Sequence, residues 1–471
     1  MSGENRSAAQ GTLQFRNAAD CRQWLARLPL ANTAICHAAL AQQVGLIPAC
    51  ALAPAERLEV LELLRDTVAS VQADHAAGFR GKPLPLEAGE REHWRAAVGL
   101  WRAMAEGYES LIDAMAGAAP ELAAQAALIC ERALACTALA MDEHHRTYHA
   151  VPAALWRQLN RLYAFAESAG VAGAAVSDPV GRAVPATSCA GTYARALLAA
   201  AAQPDALTVE EMDTVARWLE RWENLVRLSP AAAGRGAAHA LAVDLASSRG
   251  AGLARELAGE GVRYLELEAL GKSLRQAAAA LKKQDPGSLG LGNLPRAQCE
   301  KLLLMLHVQW CAAGTGRVDE RTPASAKVMI CPSLASMHFH LTGKAFRQPG
   351  GELTAAERQR LDMLGLAEQV VEREPASQRS AAAETWTIVN QSLSGLLATC
   401  RESEVANRIA FGQLVGLAQP ARKIMHLGVV RRLVVDEQGV ISIGLRVVPG
   451  APQAAAARIA ERGATGPYER A

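Results

Sequence analysis

Large rings are scarce in this chain. Aromatic residues make up 4% of its 471 positions, with 6 Phe, 6 Tyr and 8 Trp. A core short of rings has to be built from aliphatic side chains and alanine, which lets helices approach closely. Charge of one sign is missing too: 49 Lys and Arg stand against 47 Asp and Glu, a net of +2. No overall field therefore draws the chain to a nucleic acid polymer or a membrane surface, and any basic site has to be local. The ten cysteines form no C-x-x-C pair, and the opening MSGENRSAAQ lacks the apolar stretch of a secretory leader. Together these read as a reduced, cytoplasmic protein. Apolar runs break at a charge or a proline before the roughly 18 residues that a bilayer crossing needs, so no membrane span is expected.

Catalytic signatures are also missing. The stretch MDEHHRTYH at 141–149 carries His144, His145 and His149 but not the H-E-x-x-H order of a zinc helix, and reads as a polar helix end. HFH at 338–340 reads as packing or surface. GLGNLP at 290–295 has two glycines of a dinucleotide turn but no strand before it, and AGRGAAHA at 233–240 lacks the Lys-Ser/Thr of a phosphate loop. Both read as loops. No nucleophile constellation assembles from local signatures, so no enzyme and no metal site is expected.

What is present is mostly helix. In residues 54–75, Pro54 suits a first helical turn, and Leu58, Leu61, Leu64, Val68 and Val71 recur at steps of three and four on one face. Similar patterns cover 90–117, 120–148 and 152–169, without the fixed period of a repeat array. Thr208 followed by Glu211 is a capping-box arrangement. HALAVDL, at 239–245, hints at one strand, and helices follow near 264–283 and 295–312. The organisation expected is a loose tail at 1–12, a helical bundle at 13–170, a mostly helical middle region at 171–312 and a tail at 453–471.

After residue 322 the period changes to two-residue alternation. Candidate strands are 327–331, 386–390, 396–400, 413–418, 425–435 and 440–448, the last two joined by the short polar DEQG. Six short strands with tight links predict a small closed antiparallel barrel, which has no open edges. The fold class expected is α+β: a large N-terminal all-helical region, then the barrel at 313–452 with a helical insertion at 333–383. In the insertion Thr354 is a candidate N-cap, with Leu361, Leu364 and Val371 inward.

Two motifs frame the barrel. Arg317 and Arg321 form an R-x-x-x-R just before the first strand, and Asn390, Ser392 and Gly395 form an N-x-S-x-x-G after a later one. The arginine spacing recurs at Arg91/Arg95, Arg157/Arg161, Arg217/Arg221 and Arg458/Arg462, where on a helix it only puts two arginines on one solvated face. In its setting between a helix end and a barrel strand, residues 317–450 resemble the PilZ domain, a bacterial receptor module for cyclic di-GMP.

The resemblance implies a cyclic di-GMP receptor that binds through Arg317, Arg321, Asn390, Ser392 and Gly395, with no catalytic residues and no cofactor. The chemistry is consistent: an arginine fork fits the O6 and N7 acceptors of guanine and can stack on its ring. Asn and Ser at a turn offer short oriented donors and acceptors. Gly395 allows a positive φ or a close approach to the ligand. The basic residues Arg422, Lys423, Arg431 and Arg432 read either as a solvated edge or as a phosphate-facing patch. The helical region is the expected contact for a protein partner. A rival reading is a nucleotide-independent scaffold or adaptor whose barrel is degenerate.

Overall fold

The structure, a computed structural model, describes residues 12–115, 117, 119–178, 186–231, 241–312, 321–344, 359, 383–418 and 424–455. The chain splits into two compact units, Met1–Lys82 with Leu86–Gly316, and Pro83–Pro85 with Arg317–Ala471.

The first unit is helical. Its helices are α1 (Ala18–Leu25), α2 (Thr33–Leu46), α3 (Pro54–His75), α4 (Ala88–Met115), α5 (Ala126–His145), α6 (Ala153–Ser168), α7 (Cys189–Ala201), α8 (Val209–Trp222), α9 (Glu268–Ala280) and α10 (Arg296–Cys311). Helix α3 starts on Pro54 and buries Leu58, Leu61, Leu64, Val68 and Val71, the stripe that the spacing predicts. Thr208 caps α8 in a full capping box with Glu211. Helix α5 is the centre of the unit, packed against α4, α6 and α7. Pro120–His145, which includes α5, is long and apolar enough to cross a membrane, but 67% of its most apolar window is buried inside the unit. Its apolarity serves packing.

Within that core lies a buried ionic cluster. Arg132, 2% exposed, meets Glu131 at 2.6 Å and Glu62 at 3.2 Å, and its Nη2 donates to the Ser177 carbonyl at 2.8 Å. Thr192 also donates to Glu131, at 2.9 Å.

The unit also carries short strands. β1 (Val176–Ser177) pairs with β2 (Ala186–Thr187), and β3 (Arg227–Ser229), β4 (Leu241–Asp244), β5 (Gly252–Leu253) and β6 (Val262–Glu266) form an antiparallel sheet in the order β3-β6-β4-β5. The sequence hints only at β4, whose Leu241, Ala242 and Val243 are buried. Its partners are too short to show a period, so of the small sheet within the mostly helical middle region only this one strand is legible.

Three histidines of this unit are held neutral by burial, which pushes His144 down to about 3 and His75 and His149 down to about 4. Unfolded histidines titrate near 6.5. Between about pH 6.5 and 4 the unfolded chain thus binds protons that the folded chain refuses, and stability falls as pH drops through that window. The urea midpoint of the helical unit is expected to be lower at pH 5 than at pH 7.5, and equal midpoints would contradict these shifts.

The second unit is a barrel. After the two-residue β7 (Thr322–Pro323) come β8 (Lys327–Cys331), helix α11 (Leu334–Thr342), β9 (Glu384–Gln391), β10 (Gly395–Arg401), β11 (Leu414–Ala418), β12 (Met425–Val435) and β13 (Val440–Val448). The sheet runs β10-β13-β12-β11-β8-β9, and β9 pairs back with β10. That closes a six-stranded antiparallel barrel. All six strands are those expected from alternation. Trp386, Ile330, Val415, Val430, Leu433 and Ile443 fill its interior. The DEQG link is a tight turn in which Asp436 Oδ1 accepts from Gln438 N at 2.9 Å and Val440 N at 2.8 Å. Pro83–Pro85 belongs to this unit through Leu84, which exchanges two backbone hydrogen bonds with Ile409. The helix expected around Thr354, Leu361, Leu364 and Val371 lies outside the described residues. Within the insertion the structure adds α11, capped by Ser333 and ended at Gly343 with φ +71°.

Candidate functional site

The N-x-S-x-x-G segment is the β9–β10 hairpin. Along β9, Glu384, Trp386 and Ile388 point into the barrel, and strict alternation would send Asn390 inward as well. A β-bulge prevents this. Ala398 pairs with Ile388 but Leu397 pairs with Asn390, which leaves Val389 as an extra, exposed residue. Beyond the bulge the parity is reversed. Asn390 therefore shares a face with Leu397 and, through β13, with Gly444, the neighbour in sequence of the inward Ile443 and Leu445. That face is the outside of the barrel.

Arg321 comes to the same place from the other side of β9. Thr322 and Pro323 of β7 pair with Gln391 and Asn390, so the residue just before them stands at the hairpin end. Its Nη1 donates to Asn390 Oδ1 at 3.3 Å. The two residues are 69 apart in sequence, and only the barrel brings them together. Arg321 is exposed and Asn390 half-buried, an arrangement open to a ligand. Arg317 lies outside the described residues, as do Arg422 and Lys423.

Ser392 closes the hairpin. Its backbone N–H donates to the Gly395 carbonyl at 2.8 Å, and its hydroxyl reaches the same oxygen at 3.4 Å. Ser394 offers its carbonyl to Val447 N of β13 at 2.9 Å. The expectation for Gly395 is revised in its cause. Its φ is not positive, and a Cβ there would stand 2.3 Å from the Leu445 carbonyl oxygen. The neighbouring strand, not a left-handed turn, accounts for the glycine.

The basic pair on β12 separates. Arg431 is the extra residue of a second bulge and is exposed, whereas Arg432 pairs with Gly444 in the row of Leu397 and Asn390. A Cβ on Gly444 would meet the Arg432 Cβ at 2.8 Å, so the glycine makes room for the arginine beside it. Arg446, on no list of motif residues, is the cross-strand partner of Gly395. Alternation along ISIGLRVV predicts its outward face, but only the register of β13 against β10 puts it at the motif.

Two further motifs take packing positions, and AGRGAAHA at 233–240 lies outside the described residues. Helix α5 ends at His145 and Tyr148 has φ +57°, so His145 and His149 do not share a helical turn. The rings of His144 and His149 pack on Trp94 at centroid distances of 5.1 and 4.1 Å. The loop 290–295 lies on α8, where Trp218 donates to the Leu291 carbonyl at 3.0 Å.

Residues 19–233 match the family model for the N-terminal domain of the cyclic-di-GMP receptor FimW. In Pseudomonas aeruginosa, the cyclic-di-GMP receptor FimW is 25% identical to this chain over 345 residues, 71% of this chain and 55% of that protein. The chain thus spans about half the length of the curated relative it matches. No solved structure matches it. The similarity to a cyclic-di-GMP receptor therefore extends to the helical unit, well outside the barrel motifs from which the same receptor class was expected.

Proposed function

We propose that the chain is a cytoplasmic receptor for cyclic di-GMP that binds the nucleotide on the outer face of a PilZ-like barrel and catalyses no reaction on it. Arg317 and Arg321 take the guanine edge or a phosphate, and Asn390 and Ser392 take the remaining polar edge. Gly395 keeps the hairpin against β13. The observation that carries this reading is the contact of Arg321 with Asn390 on the outer face, between two motifs far apart in sequence. The helical unit is the output, through contacts with a protein partner that differ between the ligand-free and ligand-bound chain.

The test compares two arginines of the same spacing. Arg321→Ala is expected to weaken cyclic di-GMP binding about tenfold or more, the size of one lost charge-assisted contact. Arg217→Ala, on the surface of α8 where Arg217 bonds Thr214, should bind as the wild type does. Equal affinities of the two variants in a fluorescence titration would sink the proposal.

A further inference from the structure

The polarity of the barrel leads beyond the two motifs. Among the described residues of the barrel unit the carboxylates are Glu384, Glu402, Glu404, Asp436 and Glu437. All of them lie at one end. Glu384 begins β9, Glu402 and Glu404 form the turn after β10, and the other two sit in the β12–β13 hairpin, whose Gly439 carbonyl accepts from Glu402 N. The hairpin end opposite carries Arg321 and Arg446. Arg446 is exposed and outward, between the inward Leu445 and the half-buried Val447. Its Cα partners are Gly395 on one side and Val429 on the other. Gly395 places no side chain between it and the turn. Among the described residues no carboxylate pairs with its guanidinium.

We infer that Arg446 is a further ligand contact, one that holds a phosphate of the cyclic dinucleotide; the inference rests on the proposal that this site binds cyclic di-GMP. In strand order the hairpin is flanked by β7 on the β9 side and β13 on the β10 side, three strand spacings of about 4.8 Å, or roughly 14 Å in all. Arg321 stands at one flank and Arg446 at the other. A cyclic dinucleotide carries two phosphodiester charges, and two arginine side chains reaching inward across that gap meet one each. A guanidinium fork matches two phosphate oxygens in one plane, so each contact gains geometry as well as charge.

The experiment titrates the full chain with cyclic di-GMP in five forms: wild type, Arg321→Ala, Arg446→Ala, Arg446→Lys and Arg401→Ala. Arg401 is an exposed arginine on β10 at the acidic end, so its loss should leave affinity within about twofold. Arg446→Ala should bind about tenfold or more weakly, and Arg446→Lys should fall between it and the wild type, because the ammonium keeps the charge and loses the fork. The salt dependence of binding should also be shallower in Arg446→Ala. Arg446→Ala binding as tightly as the wild type, while Arg321→Ala is weakened, would overturn the assignment of Arg446 and leave the receptor reading standing. No saturable binding by the wild type would remove both.

Discussion

Gly395→Ala is expected to destabilise the barrel unit by about 3 kcal/mol and to abolish ligand binding with it. The added methyl meets the Leu445 carbonyl oxygen at 2.3 Å, and neither atom can rotate away, because both belong to paired backbone. Relief requires β10 and β13 to separate at this end. That breaks the Val447 N to Ser394 carbonyl bond and moves Arg446 away from the hairpin. Hydrogen-exchange protection of the barrel amides under urea measures the loss. Gly412→Ala is the comparison: Gly412 has φ +79° but open space around its Cβ position, so its cost should be limited to backbone strain of about 1 kcal/mol. If Gly395→Ala costs no more than Gly412→Ala, the close approach of the strands is not what fixes this glycine.

Arg132→Ala should destabilise the helical unit by about 3–5 kcal/mol, the cost of leaving a buried charge without its partner. Glu131 is fully buried, and besides Arg132 its carboxylate accepts a hydrogen bond from the Thr192 hydroxyl. Arg132→Met combined with Glu131→Leu removes both charges and fills their volume, so it should recover most of the loss. A double variant as unstable as Arg132→Ala would show that the cluster contributes through its geometry rather than through charge neutralisation.

Much of this architecture is legible from local pattern. The stripe Leu58 to Val71, the Thr208 capping box and all six barrel strands follow from periods and caps that need no partner to be seen. What is not legible depends on pairing between distant segments. Strands of two to five residues in the small sheet are too short to establish a period of their own. Alternation alone would turn Asn390 inward, and only the bulge at Val389, defined by the register against β10, turns it out. The cause of Gly395 lies in a carbonyl on β13. Arg446 belongs to no motif because its relation to the hairpin is cross-strand.

The central claim is that the outer face of the barrel at the β9–β10 hairpin binds cyclic di-GMP. Calorimetric titration of the folded wild-type chain, with Asn390→Ala alongside, tests it most directly. The account predicts saturable binding by the wild type that weakens as salt is raised, and a loss of about tenfold or more in Asn390→Ala. No saturable binding at tens of micromolar nucleotide, or equal binding by Asn390→Ala, would contradict it, and the first of these results would favour a nucleotide-independent adaptor.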